Sequence, residues 1–156
     1  MASKTRAGQD RSAGPVAVNR KARFQFEVLD TVDAGMVLRG TEVKVLRQGK
    51  MSLDEAYAAV EAGEVFLVGA NIPEYSHGNL QNHEPKRRRK LLLRAREIRR
   101  LAEKTQQKGL TLIPLKVFFS ERGFAKVTLA VCRGKKLHDK RRAVRDREMR
   151  REMTEG

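Results

Sequence analysis

Phe24, Phe26 and Val28 are interleaved with Gln25, Glu27 and Leu29, and this period of two predicts a strand. Asp33-Ala34-Gly35 reads as a turn, and Met36–Leu38 opens a second short apolar element. Thr41–Gln48 reads as a short helix, with Thr41 as N-cap and Gly49 just past its end. Two readings compete over 52–70. Ser52-x-x-Glu55 before Ala56, Ala58 and Ala59 resembles a capping box opening a helix. Against it, Glu61-Ala62-Gly63-Glu64 is a tight turn and Val65–Val68 is a short apolar run typical of a buried strand. A hairpin, 54–61 with 64–70, gives that strand a local partner and is favoured. Pro73 to Pro85 is a polar loop. Lys90–Lys108 carries Leu91, Ala95, Ile98, Leu101 and Ala102 at helical spacing, and Gly109 suits the position after its end. Ile113, Leu115, Val117 and Phe119 then alternate with their neighbours. The turn Ser120–Gly123 returns the chain to Ala125, Val127, Leu129 and Val131, a second hairpin. Pro114 is expected near a strand end or on an edge.

About six short, mostly antiparallel strands with one long and one short helix predict a mainly β fold. The nearest general type is a small antiparallel β-barrel of oligonucleotide-binding type with flanking helices. Residues 1–18, rich in Ala, Gly, Ser and charge, read as a loose N-terminal arm. The barrel domain spans 19–133 and a basic C-terminal tail spans 134–156.

Charge sharpens this picture. The chain of 156 residues has a net charge of +15, unevenly placed. Residues 1–23 hold six basic residues and one acidic, and 133–156 hold ten basic and five acidic. Within the remainder, 86–108 alone has eleven basic residues against two acidic. Such a footprint points to a polyanionic partner. The tail has too few apolar residues to bury a face, so it is expected to be disordered alone. Lys86–Lys90 sit at the expected start of the long helix, where cations oppose the helix dipole. A bound anion would relieve that conflict, which favours nucleic-acid contact over a plain solvated face.

Catalytic and metal chemistry finds little support. His77, His83 and His138 lack metal-ligand spacing with each other or with Cys132, and His77 and His83 read as solvated surface residues. Cys132, the single cysteine, reads as a partly buried inert thiol. It offers no disulfide and hints weakly at a reducing compartment. No glycine-rich phosphate loop occurs. His138-Asp139 invites a nuclease reading, but a flexible tail cannot hold an acid and a base in register. No run approaches the length of a membrane span, and no signal peptide is evident near the N-terminus. A cytoplasmic protein with no cofactor, no metal and no small-molecule substrate is expected. The chain holds eight aromatic residues and no Trp. The phenylalanines lie in or beside strands and several serve the core, leaving few stacking platforms. Structured RNA, read by shape, phosphates and 2′-hydroxyls, therefore fits better than unstructured single strands. For Tyr57, a stacking or hydrogen-bonding role and a half-buried core role both stay open.

Several motifs occur in a fixed order: Asn19-Arg20-Lys21-Ala22-Arg23, Asp33-Ala34-Gly35, Gly40-x-Glu42-Val43-Lys44-x-Leu46-Arg47-x-Gly49-Lys50, Gly69-Ala70-Asn71-Ile72-Pro73, Arg89-Lys90-Leu91-Leu92-Leu93, and Gly134-Lys135-Lys136-x-His138-Asp139-Lys140-Arg141. Together they closely resemble the small protein B family, the bacterial tmRNA-binding proteins of ribosome rescue, over about residues 15–150. The resemblance implies an oligonucleotide-binding barrel that holds the tRNA-like domain of tmRNA and delivers it to stalled ribosomes for trans-translation. It implies that the tail enters the empty mRNA channel near the decoding centre of the small subunit and folds there as a helix. Alanyl-tRNA synthetase and elongation factor Tu are then partners through tmRNA, and the protein itself is no enzyme. The family's RNA-facing positions match Asn19, Arg23, Asp33, Glu42, Lys44, Arg47, Lys50, Tyr57, Lys90 and Leu92. Arg20 and Lys21 are expected to join them, and Arg94, where some relatives carry a polar residue, adds a phosphate contact. The ribosome-facing tail positions are Gly134, Lys135, Lys136, His138, Asp139, Lys140, Arg141, Arg145 and Met149. Asp33 stands where some members carry glutamate, Phe24 where some carry histidine, and Met149 where some carry tryptophan. Two further readings compete: a structural ribosomal or general structured-RNA-binding protein, and an enzyme acting on RNA.

Overall fold

The computed structural model describes residues 14–77 and 81–135. The tail positions Lys136, His138, Asp139, Lys140, Arg141, Arg145 and Met149 lie outside the described residues. Strand β1 is Ala17–Val18, helix α1 Ala22–Gln25, β2 Phe26–Met36, α2 Gly40–Arg47 and β3 Tyr57–Glu61. Then follow β4 Glu64–Val68, β5 Arg89–Leu92, α3 Ala95–Gln106, β6 Leu110–Phe119 and β7 Ala125–Gly134. All pairings are antiparallel. They run β6-β3-β4-β5-β2-β7 and return to β6, so six strands form a closed ring with β1 added to β6. Closure removes the open strand edges that a sheet would expose.

The core inside the ring is built from inward residues of every ring strand, among them Ala34, Ala58, Val65, Leu67, Leu91, Leu112 and Leu129, with Val45 and Leu46 from α2 and Leu101 from α3. A second, smaller cluster lies under α1 and joins Ala22, Ile113, Leu115, Ala130 and Cys132, with Phe26 and Val28 against it. Two irregularities create it. The register shifts between Val28 and Asp30 in β2, and between Pro114 and Lys116 in β6. A bulge reverses which side successive residues face. Val32, Ala34 and Met36 therefore belong to the barrel core, whereas Phe26 and Val28 pack in the second cluster.

The favoured hairpin over 54–70 is present as β3 and β4. Tyr57 pairs with Val68 and Glu61 with Glu64. Ala62 (φ 49°) and Gly63 (φ 78°) link them, and two successive positive φ values suit the tight loop of a twisted hairpin. Gly69 (φ 81°) ends β4, and a Cβ there would lie 2.9 Å from the Glu55 carbonyl oxygen. Only glycine satisfies that close approach together with its φ.

Several expectations are corrected. Asp33-Ala34-Gly35 is no turn but part of the second half of β2, paired with Thr128, Val127 and Lys126. Ala34 is inside the barrel, and that burial holds the strand straight through. The strand expected from Phe24 begins at Phe26, after the single turn of α1. The long helix begins at Ala95, not Lys90. Residues 89–92 instead form β5, whose partners β4 and β2 would otherwise leave the ring open. Arg39, with extended backbone, rather than Thr41, is the N-cap of α2. Pro114 lies inside β6, at the bulge between the segments paired with β1 and β3. It is locally an edge there, so its missing N–H costs no strand pairing.

Candidate nucleic-acid interface

Register across the ring assembles one exposed surface. Gly35 on β2 stands opposite Leu92 on β5 and Lys126 on β7. Lys126 in turn faces Phe118 on β6. Two residues along β2, Asp33 faces Thr128, which faces Lys116. Paired residues in a ladder share a face, so Asp33, Leu92, Lys126 and Lys116 share the outside of the barrel. Leu92 is 55% exposed, an unusual fate for leucine on a strand. A Cβ on Gly35 would lie 3.4 Å from the Leu92 Cβ, so the glycine leaves that side chain room across β2. Two shallow depressions meet here. One is lined by Asp33, Leu92, Arg94 and Lys126, the other by Asp33, Lys126, Phe118 and Phe124. Each encloses about 430 Å³.

The Thr128 hydroxyl donates to Asp33 Oδ1 at 2.7 Å. That contact orients the carboxylate and leaves Oδ2 as acceptor for an amino or hydroxyl group. A carboxylate flanked by Lys126 and Arg94 can read base or ribose donors while the cations meet phosphates.

The other matched positions spread around the barrel. Lys44 lies over Tyr75, 5.3 Å from the ring centre, beside a depression bounded by Arg39, Thr41 and His77. Arg47 lies 4.5 Å from the centre of the Phe119 ring and donates to the Gly123 carbonyl. Lys50 is exposed at the end of α2, and Arg20, Lys21 and Arg23 are exposed around α1. Tyr57 is 46% exposed on β3, which settles its setting on the outside of the barrel. Lys90 is paired with Glu64 at 3.1 Å on the surface, a pair too exposed to add much stability. Gly134 closes β7 opposite Phe26. The Lys135 backbone N–H donates to the Gln25 carbonyl and its Nζ to the Arg23 carbonyl.

Four polar residues prove to be internal. Glu42 has no exposed surface. One carboxylate oxygen accepts from the Arg39 backbone N–H at 2.8 Å and from Arg87 at 2.6 Å; the other meets Arg89 at 2.6 Å. It therefore caps α2 and anchors two arginines, and does not face RNA. Burial alone would raise the Glu42 pKa, but hydrogen bonds from Arg87, the Arg39 backbone and Arg89 outweigh it and hold the carboxyl below the usual range. Arg89, equally buried, also donates to the carbonyls of Ala70 and Pro85. Asn19 is buried too, with Nδ2 donating to the Pro114 carbonyl at 3.0 Å and its backbone N–H to Leu115. It bridges the bulge that Pro114 leaves unpaired, so its task is to dock the N-terminal segment on β6. His83, expected on the surface, is 2% exposed. Its Nε2 donates to the Ile72 carbonyl, which leaves Nδ1 to accept from the Thr41 hydroxyl at 2.8 Å.

The run Lys86–Lys90 is thus no set of cations at a helix start. Arg87 and Arg89 turn inward to Glu42, while Arg88 pairs with Glu61 and lies over Phe66. The exposed cations of 86–108 include Arg94, Arg96, Arg99 and Lys104 on and before α3. Cys132 is fully buried, and burial pushes its thiol up to about 11, with Arg23 acting weakly the other way. It is inert at neutral pH. Sequence reasoning missed Lys126, Lys116 and Phe124. The first two occupy the outward positions of a correctly placed hairpin, so the alternation carried their signal.

Among the described residues, no helix is long and apolar enough to cross a membrane. Comparison with known proteins adds the decisive context. The SmpB protein family model matches residues 16–156. An SsrA-binding protein of Chelativorans sp. is 58% identical over 137 residues, 88% of either chain. One from Mesorhizobium japonicum is 54% identical over 148 residues, 92% of this chain and 93% of its own. One from Rhodopirellula baltica is 53% identical over 134 residues, 86% of this chain and 76% of its own. A solved chain described under "tmRNA-SmpB: a journey to the center of the bacterial ribosome" superposes with a TM-score of 0.69 at 50% identity. It covers 85% of this chain and 96% of its own.

Proposed function

The chain belongs to the SmpB protein family, and from that premise we propose that its barrel grips the tRNA-like domain of tmRNA through the surface centred on Asp33, Leu92, Arg94 and Lys126. It binds tmRNA and acts with it on the ribosome in trans-translation, the rescue of stalled ribosomes. The register that brings an acid, an exposed leucine and two cations to one face supports that surface most strongly. Arg20, Lys21, Arg23, Lys44, Arg47, Lys50, Tyr57 and Lys90 extend it as phosphate, ribose or base contacts. The protein makes and breaks no bond; it positions an RNA, in the bacterial cytoplasm. The tail reaches from Gly134 into the mRNA channel, with its Lys and Arg residues taking up ribosomal phosphates.

Titration with the tRNA-like domain over a range of salt tests this reading. Each neutralised phosphate contributes roughly 0.7–0.9 to the slope of log K against log salt, so a steep slope is expected, together with clear preference over an arbitrary hairpin. Asp33→Ala is expected to weaken binding while leaving the melting temperature nearly unchanged, because the carboxylate is exposed. A flat salt dependence, or equal affinity for both RNAs, would sink the reading.

A further inference from the structure

We propose that Phe124, backed by Phe118, is a stacking platform for one unpaired base of the bound RNA. The inference rests on the RNA-binding reading above and adds an element of base recognition to it. Phe124 is 64% exposed, the most exposed large apolar side chain among the described residues. Its exposure follows from the fold. Ala125 pairs with Phe119 and is buried, so the alternation of β7 sends the preceding side chain outward.

The turn that carries Phe124 is held firmly. Its N–H donates to Ser120 Oγ at 3.2 Å, and its carbonyl accepts from the Ser120 N–H at 2.8 Å. The Gly123 N–H donates to the Ser120 carbonyl, and Gly123 takes φ 84°. A ring on a rigid turn loses little freedom when it is covered, which favours its use as a binding element.

The surroundings select the occupant. Phe124 and Phe118 line one depression with Asp33, Arg122 and Lys126. Lys116 Nζ lies 5.5 Å from the centre of the Phe118 ring. Arg122, Lys126 and Lys116 rim the aromatic floor, and the Asp33 and Glu121 carboxylates complete the lining. A flat base with N–H donors, joined to phosphates on either side, satisfies all three features. An apolar protein side chain would satisfy only the floor. The depression also continues, through Asp33 and Lys126, into the one that holds Leu92 and Arg94. One RNA strand can cross both.

The chain contains no Trp, so Phe124→Trp places a sole tryptophan, selectively excitable beside the tyrosines, at the platform. Its emission is expected to be quenched on titration with the tRNA-like domain of tmRNA, with affinity within about threefold of the parent. Phe124→Leu keeps apolar bulk but loses the π-face. It is expected to bind roughly 5- to 100-fold more weakly, with an unchanged salt slope and melting temperature. Parental affinity in Phe124→Leu, with unaltered emission from Phe124→Trp at saturation, would overturn the proposal. So would loss of ribosome binding alone, which would point to a protein contact. Failure of the parent chain to bind the RNA would instead overturn the broader reading.

Discussion

Glu42→Ala is expected to destabilise the barrel by about 3–5 kcal/mol, because it strands a buried guanidinium without its counter-ion. For a domain of this size that lowers the melting temperature by roughly 10 °C or more. The cause is specific. Arg89 is buried and tied to Glu42, Ala70 and Pro85, so the carboxylate joins α2, the end of β4 and β5 at one point. Glu42→Leu combined with Arg89→Met is expected to recover much of the loss, since an apolar pair has no charge to desolvate. The pH dependence has a definite sign. The folded pKa of Glu42 lies below its ordinary value of 4.5. Its stabilisation is therefore complete above that value and is lost as pH falls through the lowered one. Thermal melts from neutral pH into the acid range check both points. Glu42→Ala with a parental melting temperature but impaired RNA binding would return this residue to the RNA face.

Ending the chain at Lys135 is expected to abolish tagging of chains stalled on truncated mRNA while leaving tmRNA affinity nearly intact. The cut retains both Lys135 contacts to α1, through its backbone N–H and its Nζ, so the barrel stays closed against that helix. It removes Lys136, Lys140, Arg141 and Arg145, the cations proposed to meet ribosomal phosphates. Arg142–Asp146 and Asp146–Arg150 are i,i+4 pairs, each adding only a few tenths of a kcal/mol to a helix. An isolated helix needs far more, so ribosomal contacts must supply the remainder. In-vitro tagging with purified ribosomes is the readout, and normal tagging by the shortened chain would remove the tail from the mechanism.

The hairpin of 54–70 was legible in its tight turn and apolar run, that of 113–131 in its alternation, and the apolar face of α3 in its helical spacing. The errors have physical causes. Leu91 lies at helical spacing from Ala95 by coincidence; the need to bridge β4 and β2 made 89–92 a strand. The bulges in β2 and β6 reverse side-chain parity, so a period-two reading cannot say which residues leave the barrel core for the cluster under α1. Asp33-Ala34-Gly35 has turn chemistry, yet pairing on β7 and burial of Ala34 overrode it. The internal ion pairs were hidden because Glu42 and Arg89 lie 47 residues apart. Their burial depends on the closed ring, which no local pattern encodes. Of the site, Asp33 and Leu92 came from ordered motifs, and Arg94 from the residue just past one of them. Lys126 and Phe124 needed the register that places them beside Asp33.

The RNA that copurifies with this chain from its host tests the central claim most directly. After a wash at moderate salt, tmRNA is expected to be the dominant species and to fall sharply in yield with Asp33→Ala. Recovery of ribosomal RNA fragments in place of tmRNA would contradict the account and favour a structural ribosomal protein.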